Sequence, residues 1–491
     1  MNKAEASRAI LKGTALFGGT QAFTMLLNLV KGKCVAILLG AYGMGVSSLL
    51  SSAIAPLHQF FSFGMSVAAV SHISNAPDDV TMRRRIIAFR RGMTVTAIIT
   101  TVLLLLLSPL LANATFGSVS GGVTWFLLAS PSAGFLILAA TETAVMQSQR
   151  ALRAVALTTA APAVLGIIVS LPLFSLWGIH GIAPSLTLVA FLYWAYTRYK
   201  SRSVEAALPD AGRQTWRETY AVCRKIMSFG ILSMSAALLG ALVVYLTNTV
   251  INHTGGTREV GFYQTAVTIT TQSTTILTFA LSTDFFPQLS RSSSDRAAIF
   301  SLVNRYAQIM QLLAAPLAAL FIVAAPLIVR VLLTPEFDTV VPLLQIMVLT
   351  LFMRAFFYPL DYICMAKADK TYYFCIEIVY NNLKNLLLPI SAYFIWGIEG
   401  LALGFAAGAA LDMAVSYLAV RHRYGIVYGS AMLFHTLLFS LLLLALLLSV
   451  LYVGTLLLTL PLLALILALS LWLLRSKLRR RRGKRNYSAN A

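Results

Sequence analysis

Long apolar segments recur along almost the whole chain, and they constrain its fold more than any other feature. A membrane-spanning helix needs about 20 consecutive, mostly apolar residues. With 58% hydrophobic and 11% charged residues, the chain is too apolar for a soluble globular protein, in which about 25% of residues are charged. We therefore predict an all-α polytopic membrane protein with about fourteen transmembrane helices. The fourteen predicted spans are 13–38, 45–70, 93–111, 123–146, 154–174, 179–197, 226–251, 259–282, 306–329, 340–363, 376–396, 399–419, 431–453 and 455–474.

The basic excess of the chain predicts its orientation. The net charge is +21, from 38 Lys and Arg against 17 Asp and Glu, an excess that would suggest nucleic-acid binding in a soluble chain. Fourteen spans put both termini on one side, and that side then carries 32 of the 38 cations against 4 on the other. The positive-inside rule assigns the cation-rich side to the cytoplasm. The sequence thus predicts two cytoplasmic termini, membrane lipids as partners of the basic loops and tail, and no nucleic acid.

Short glycine-rich motifs recur at a nearly constant offset. Residues 40–45 (GAYGMG) precede the second span, and residues 256–261 (GTREVG) precede the eighth, 216 positions later. Residues 177–181 (WGIHG) join spans five and six, and residues 396–400 (WGIEG) join spans eleven and twelve, 219 positions later. These matches predict two copies of a six-helix unit that face the same way, related by an axis along the membrane normal.

The repeats suggest a domain organisation in five parts. Transporters built from two such halves bind their substrates between the halves. The last two spans have no counterpart in the repeat and are almost purely Leu, Ala and Val, so we expect them to face lipid. The predicted parts are an N-lobe at 1–200, a cytoplasmic linker at 201–225, a C-lobe at 226–425, two extra helices at 426–475 and a basic cytoplasmic tail at 476–491.

Ionisable residues inside three C-lobe spans are candidate site residues. Arg354, Lys384 and Asp412 lie at a shared depth of ~10–14 Å from the inner ends of their spans. Each costs about 2.5–3.5 kcal/mol to insert, so each needs a compensating role. One interpretation is a cationic pocket for an anionic headgroup, and the other is an ion-pair network between spans. The polar stripes around them add Asp361, Glu377 and Asn381, with Asp412, Asp361 and Glu377 as possible coupling or ion-pair residues.

Two further groups of polar residues are candidates for the substrate path. Lys31 and Lys33 lie near the outer end of span one, either as snorkelling side chains or as a second cationic position at the outer mouth of a cavity. Span eight is crowded with hydroxyls and amides. Thr268, Gln272 and Thr275 represent this polar face, which favours a hydrated cavity wall, although threonines can also bond to their own helix.

The chemistry-bearing motifs of common enzymes are not found in the sequence. There is no GxxxxGK[ST] loop, no HExxH and no metal-ligand spacing among the six histidines or the four scattered cysteines. The predicted outer connections are short and leave little room for a glycosyltransferase or ligase domain. We therefore expect no catalytic residues, metal or cofactor, and the chain is not expected to be an enzyme.

The N-terminal region carries a recognisable pattern. Residues 11–74 contain Phe17-Gly18-Gly19, Lys31-Gly32-Lys33, Gly43-Met44-Gly45 and Phe63-Gly64-Met65. The pattern resembles that of the Wzx-type O-antigen flippases of the multidrug/oligosaccharidyl-lipid/polysaccharide (MOP) exporter superfamily. Two six-helix lobes and two extra C-terminal helices, as in the related lipid II flippase, fit that superfamily over the whole chain.

The resemblance implies a function. It implies a flippase of the bacterial inner membrane that moves undecaprenyl-pyrophosphate-linked oligosaccharide, an O-antigen or other surface polysaccharide unit, by alternating access. It implies a polysaccharide polymerase and chain-length machinery as partners. The cationic cavity of the family corresponds by location to Lys31, Lys33, Arg354 and Lys384.

Three other functions stay open from the sequence. A cation-coupled small-molecule exporter of the same fold would use membrane carboxylates in the N-lobe, which offers Glu142 near an inner end. A lipid II flippase differs in substrate alone. A polyprenyl-linked sugar polymerase or ligase would need a large outer loop rich in Arg and Asp, and no such loop is present.

Overall fold

The fold is helical almost throughout the described residues. A computed structural model describes residues 3–117, 121–206, 208–210, 212, 214–280, 285–292, 294–454 and 456–489, and contains no strand within them. The first eight helices are α1 (Lys3–Ser62), α2 (Met65–Ser74), α3 (Asp79–Phe116), α4 (Gly122–Ser148), α5 (Leu152–Trp177), α6 (Ile182–Glu205), α7 (Trp216–Thr254) and α8 (Thr257–Ala280). They are followed by α9 (Phe286–Arg291), α10 (Arg296–Leu332), α11 (Val340–Met347), α12 (Leu349–Ala366), α13 (Lys370–Tyr372), α14 (Asn381–Tyr424), α15 (Ser430–Leu448) and α16 (Leu456–Ala489).

These helices account for the predicted spans. By length and composition, ten helical segments of the described chain are long and apolar enough to cross a membrane. Segments 152–205 and 370–424 each contain two predicted spans, 18–62 overlaps the first two, and the polar α8 is not among the ten. The all-α polytopic fold is confirmed, and the helices are compatible with about fourteen spans. Predicted positions 207, 211 and 213 of the linker, 281–282 of span eight, 455 of span fourteen and 490–491 of the tail lie outside the described residues.

Glycines at positive φ bend the chain where one predicted span meets the next. Gly40 kinks α1 at φ 61°, and Gly397 kinks α14 at φ 62°. This backbone conformation strains residues with a side chain, and glycine adopts it freely. The offsets of the sequence repeat relate Gly40 to Gly256 and Gly178 to Gly397, and all four have positive φ. The two copies therefore share backbone conformation as well as sequence.

A second pair of repeated glycines makes a reciprocal contact. A Cβ added at Gly45 would overlap the carbonyl oxygen of Thr257, and a Cβ added at Gly261 would overlap that of Ala41. The offset of 216 relates residue 45 to 261 and residue 41 to 257, so each contact is the counterpart of the other. This is the pattern of an interface between two equivalent parts related by a twofold axis.

The chain divides into two compact units. Unit 1 comprises Met1–Gly261 with Leu332–Thr334, and unit 2 comprises Phe262–Val331 with Pro335–Ala491. Helix α7, which the sequence analysis assigns to the C-lobe, packs against α1 and α3 inside unit 1. The predicted lobe limits at 200 and 226 stay a prediction from the repeat.

Each unit has its own packed interior. In unit 1, α4 packs against α3 and α6, and one cluster around Leu50, Leu104 and Phe126 is almost completely buried. In unit 2, α14 packs against α11 and α12. Helix α15 also contributes to this interior, because Thr436 donates a hydrogen bond to Gln311 at 2.9 Å and Phe439 lies against Phe352. The first of the two extra helices thus has one packed face as well as exposed leucines.

Candidate functional site

A cavity inside unit 1 surrounds one of the predicted cationic residues. It has a volume of about 230 Å³ and lies between α1, α4, α5 and α6. The ammonium of Lys31 lies against Gly166 of α5, where an added Cβ would be 2.8 Å from Nζ. Among the described residues, no Asp or Glu lines this cavity. The polar lining consists of Lys31, Ser51, His58, Ser132, Ser170, Ser185 and Tyr193.

The other polar groups of this cavity can bind oxygen-rich ligands. The Nε2 atom of His58 is buried and has no hydrogen-bond partner among the described residues. Ser132 and Ser185 donate to carbonyls of their own helices, so their oxygens remain able to accept. One cation, an imidazole and several hydroxyls form a site suited to an anion or to sugar hydroxyls. We call this set the Lys31 cavity.

Lys31 is among the residues predicted from the sequence, whereas His58 is not. The histidine stands on the second half of α1, beyond the kink at Gly40, and only folding brings it to the same cavity. A signal was present, because Ser51, Ala55 and His58 follow a helical i, i+4, i+7 stripe. Lys33, two residues after Lys31 on the helix, is half-buried and does not line the cavity.

The predicted C-lobe residues meet in a second cluster, within unit 2. Lys384 forms an ion pair with Asp412 and lies 3.4 Å from the amide oxygen of Asn381. Asn381 in turn donates to Glu377 at 3.0 Å. Lys384 and Asp412 are both buried, although they are 28 residues apart across the kink at Gly397. The structure therefore supplies a carboxylate for the buried ammonium.

The rest of this cluster has a mixed charge. Arg354 lies 3.4 Å from the hydroxyl of Thr274 on α8, at the long limit of a hydrogen bond. Asp361 lies close enough to Glu377 and Lys384 to interact electrostatically, and its Oδ1 is buried without a hydrogen-bond partner among the described residues. Two cations thus stand against three carboxylates. Of the two interpretations made from the sequence, a cationic pocket and an ion-pair network, this arrangement is more like the ion-pair network. Substrate binding by these residues stays a prediction.

The hydroxyls of α8 are largely satisfied by their own helix. Thr268 donates to the carbonyl of Gln264 at 2.7 Å, and Thr275 donates to that of Thr271 at 3.0 Å. Ser273 and Thr274 bond in the same way. Such i−4 bonds let hydroxyls reside in an apolar environment without water. Gln272 is half-buried, and the hydrated wall stays a prediction.

Unit 1 contains a network of ion pairs around two buried glutamates that is not among the features predicted from the sequence. Glu142 accepts hydrogen bonds from Arg90 at 2.5 Å and from Arg198 at 3.2 Å. Glu205 pairs with Arg90 and, at 2.6 Å, with Arg83. The single N-lobe carboxylate that could have served cation coupling is therefore already engaged by two arginines. Among the described residues, no group of three or more His, Cys, Asp or Glu is arranged to hold a metal ion.

Solved structures with the same fold are membrane transporters. The lipid II flippase MurJ in an inward closed conformation aligns with 94% of this chain and 99% of its own, at TM-score 0.75 and 15% identity. An inward-facing multidrug resistance transporter of the MATE family aligns with 84% of this chain and 98% of its own, at TM-score 0.64 and 15% identity. A MOP superfamily transporter from Pyrococcus furiosus aligns with 84% of this chain and 95% of its own, at TM-score 0.60 and 15% identity.

These likenesses define the class of protein. The chain is a multi-pass membrane protein with the fold of the MOP superfamily of transporters. A family described as "Polysaccharide biosynthesis protein" matches residues 88–342, and the chain belongs to that family. None of the curated proteins matches the sequence significantly.

Proposed function

We propose that this protein is a flippase that moves a polyprenyl-pyrophosphate-linked oligosaccharide across the bacterial inner membrane. The Lys31 cavity carries the proposal, because it combines a half-buried cation with hydroxyls and an imidazole and has no carboxylate in its described lining. A pyrophosphate diester has about two negative charges, and hydrogen bonds between ionised partners are about twice as strong as neutral ones. Membership of a polysaccharide biosynthesis family supports the same substrate class.

The charge arrangement of unit 1 disfavours the cation-coupled exporter. A cationic substrate needs uncompensated carboxylates, and in unit 1 Glu142 is held by Arg90 and Arg198. In unit 2, Asp412 is held by Lys384, whereas Asp361 and Glu377 give this cluster one carboxylate more than its two cations balance. The fold relatives are transporters, and translocation makes and breaks no covalent bond, so the proposal includes no catalytic residue and no cofactor.

The proposed mechanism is alternating access driven by the membrane potential. The headgroup enters from the cytoplasm while the polyprenyl tail stays in lipid, and the termini remain cytoplasmic. Moving one charge through 100 mV is worth about 2.3 kcal/mol, so export of two negative charges gains about 4–5 kcal/mol at ~100 mV. On the outer leaflet, the oligosaccharide would pass to a polysaccharide polymerase and its chain-length machinery.

A lipid II flippase is the second candidate. It is favoured by the alignment with the lipid II flippase MurJ over 94% of this chain. The two substrates share the polyprenyl-pyrophosphate group, and a cation with hydroxyls suits both. Substrate choice thus depends on the sugar part and has to be measured.

The test is a translocation assay in liposomes that contain the purified protein. Three cargoes are compared: a lipid-linked O-antigen unit, lipid II and a cationic dye. We expect the O-antigen unit to move fastest, and we expect Lys31→Ala to slow it about 10- to 100-fold, because a charge-assisted hydrogen bond contributes about 1.5–3 kcal/mol. Lys31→Arg should retain most of the activity.

The matched control is Lys225→Ala, which removes an exposed lysine of the same unit outside the cavity lining. It should leave the rate unchanged. Preferred transport of lipid II would select the second candidate. Transport of the dye alone, or a wild-type rate in Lys31→Ala, would rule out the proposal.

A further inference from the structure

A cleft lined by arginines lies at one end of unit 1. It has a volume of about 580 Å³ and is formed by α3, α6 and the start of α7. The positive-inside rule places this end on the cytoplasmic side. The charged and aromatic residues that line the cleft are Arg83, Arg90, Arg91, Arg198, Arg202, Glu205 and Trp216.

The cleft has more arginines than its carboxylates neutralise. Glu205 lines it and Glu142 lies directly behind Arg90, so two carboxylates stand against five guanidinium groups. Among the described residues, no other Asp or Glu lines the cleft. The region keeps a formal charge of +3, and Arg202 is exposed to the surroundings. An anion that entered the cleft would meet unneutralised guanidinium groups.

Trp216, which lines the cleft, is a residue type typical of the headgroup level of a membrane. The residue is 66% exposed, and the guanidinium of Arg91 lies 6.0 Å from its ring centroid. Arg91 is fixed further by a hydrogen bond of 2.9 Å to the carbonyl of Gln214. Tryptophan and arginine are typical of the membrane–water interface, where an apolar body and a polar tip are both accommodated.

An apolar groove continues from the cleft along the same unit. It has a volume of about 240 Å³ between α3 and α4 and shares Thr94 and Ile98 with the cleft. Ile98 is 59% exposed and Val102 is 48% exposed, so the groove presents apolar side chains outward. Its lining is Thr94, Ala97, Ile98, Thr101, Val102, Pro131, Gly134, Phe135 and Leu138.

The groove is separate from the Lys31 cavity. Along α4, residues 131, 134, 135 and 138 face the groove, whereas Ser132 and Leu136 face the cavity. These sets lie on different faces of one helix, and the two linings have no residue in common. A ligand in the groove therefore lies outside the path assigned to the transported headgroup.

We propose that the cleft and the groove together bind one anionic phospholipid of the cytoplasmic leaflet. The phosphate would lie among Arg91, Arg198 and Arg202, whose planar guanidinium groups suit phosphate oxygens. One acyl chain would lie along Ile98 and Val102 in the groove. A zwitterionic lipid fits less well, because its own positive group would enter a positively charged cleft. Free phosphate also fits less well, because it has no acyl chain to fill the groove. The inference does not depend on which cargo the flippase moves.

The test is native mass spectrometry of the full-length protein released from detergent. Phosphatidylglycerol and phosphatidylcholine with identical chains are offered at equal concentration. We expect phosphatidylglycerol to be retained about ten- to thirtyfold more, since each basic residue near an anionic lipid surface strengthens binding several-fold. The double variant Arg91→Gln/Arg202→Gln should abolish this preference.

A second variant tests the groove independently of charge. Ile98→Trp fills the junction between cleft and groove and should lower retention of phosphatidylglycerol, whereas Ile99→Trp, on an exposed neighbouring position outside both linings, should not. Arg153→Gln/Arg217→Gln removes two exposed arginines of unit 1 outside the cleft and serves as the charge control.

Four results would each overturn the proposal. They are equal retention of the two lipids by the wild type, unchanged preference in Arg91→Gln/Arg202→Gln, equal losses in test and control variants, and displacement of phosphatidylglycerol by inorganic phosphate or by a polyprenyl phosphate at the same concentration.

Discussion

Two lysines within the predicted spans, the buried Lys384 and the half-buried Lys31, have opposite surroundings. The ammonium of Lys384 is paired with the carboxylate of Asp412, whereas the described lining of the cavity around Lys31 contains no carboxylate. A charge inside a membrane protein persists where something compensates for it. The pair in unit 2 is compensated by the fold itself, and the Lys31 ammonium is available to an external anion.

The pair in unit 2 gives a test of stability. Lys384→Ala leaves the carboxylate of Asp412 buried without its cation, and loss of one partner of a buried pair costs about 3–5 kcal/mol. We expect the melting temperature in detergent to fall sharply in this variant. Lys384→Met/Asp412→Leu should recover most of the loss, because it removes both charges. A double variant no more stable than Lys384→Ala would contradict a mainly structural pair.

Translocation measurements on the same variants separate structure from substrate binding. If Lys384 and Arg354 bind the headgroup, Lys384→Met/Asp412→Leu and Arg354→Ala should slow flipping about tenfold or more at normal stability, as expected for a lost charge-assisted contact. If Arg354→Ala and the double variant both flip at the wild-type rate, the cationic pocket in unit 2 is excluded.

A second ion pair, outside the spans, gives a pH prediction. Hydrogen bonds from Arg423 hold the pKa of Asp369 at about 2, below its ordinary value of 3.8. A lowered pKa means that the folded state favours the ionised carboxylate, so the stabilisation is complete above pH ~4 and is lost as the pH falls towards 2. The melting temperature of the wild type should exceed that of Asp369→Asn at pH 6 by more than at pH 3. Arg423→Gln should likewise have a lower melting temperature than the wild type at pH 6, and this difference should shrink at pH 3. A difference in melting temperature that stays the same between pH 6 and pH 3 would contradict the prediction.

At the scale of single residues, the sequence identifies candidate site residues better than it identifies the side chains that they contact. Lys31, Lys384 and Asp412 stand out because a charge in an apolar span is conspicuous without any tertiary information. Their neighbours are not conspicuous, because Lys384 and Asp412 meet across a helix kink and His58 has no distinctive local context. Pairing is decided by how helices pack, which a single sequence does not specify.

At the scale of helices, the repeated glycines determine how closely two elements approach. Gly45→Ala and Gly261→Ala each place a methyl group against a backbone carbonyl of the other element, which neither side can relieve by changing a rotamer. Because the two contacts are equivalent, we expect similar losses, about 1–3 kcal/mol each, as for other overpacked sites. Thermal unfolding in detergent would measure both.

Gly32→Ala is the matched control for these substitutions. It lies in α1 as Gly45 does, but a Cβ there meets no atom within 4 Å. Alanine favours helix over glycine by about 1 kcal/mol, so this variant should be at least as stable as the wild type. Equal destabilisation by all three substitutions would mean that the close contact is not the cause.

Helix α8 shows why polar composition alone does not define a cavity wall. A threonine that bonds to its own carbonyl and a threonine that faces water look identical in sequence. Thr268, Thr274 and Thr275 all bond to their own helix, and Thr274 is the one of the three that also meets Arg354. Span lengths are predictable because backbone groups in lipid must be paired within a helix. Side-chain orientation is not constrained in this way.

At the scale of the whole molecule, charge asymmetry predicts the orientation. Exposed Asp210 belongs to the predicted cytoplasmic linker, and exposed Asp338 to a predicted outer connection. In a variant without native cysteines, a membrane-impermeant maleimide applied to intact spheroplasts should label Asp338→Cys and not Asp210→Cys. The reverse pattern would invert the predicted orientation, and labelling of both would indicate an incorrect span count.

The membrane potential gives a prediction for the complete transport cycle. A potassium gradient with valinomycin makes the liposome interior negative, and for protein in the inside-in orientation this should increase export of the two-charge headgroup. The gain is about 4–5 kcal/mol per ~100 mV at equilibrium. If the export rate does not change with the membrane potential but does change with a proton or sodium gradient, transport is driven by ion coupling and not by the potential.

The helical spans and the internal repeat could be predicted from the sequence, because apolar segments and recurring glycine motifs are visible without tertiary contacts. The assignment of α7 to the same compact unit as α1 could not, since an internal repeat does not specify which copy a helix joins. Membership of a polysaccharide biosynthesis family and the cavity around Lys31 are the two observations on which the proposed cargo rests.

The reciprocal glycine contact has a consequence for the origin of the fold. Residue 41 meets residue 261 and residue 45 meets residue 257, which is the contact that a half-length chain would make with a second copy of itself. This is the contact expected if the fold arose by fusion of two copies of a half-length chain. In that account the two halves diverged after fusion, since the lysines at 31 and 384 stand at positions that the repeat offsets do not relate.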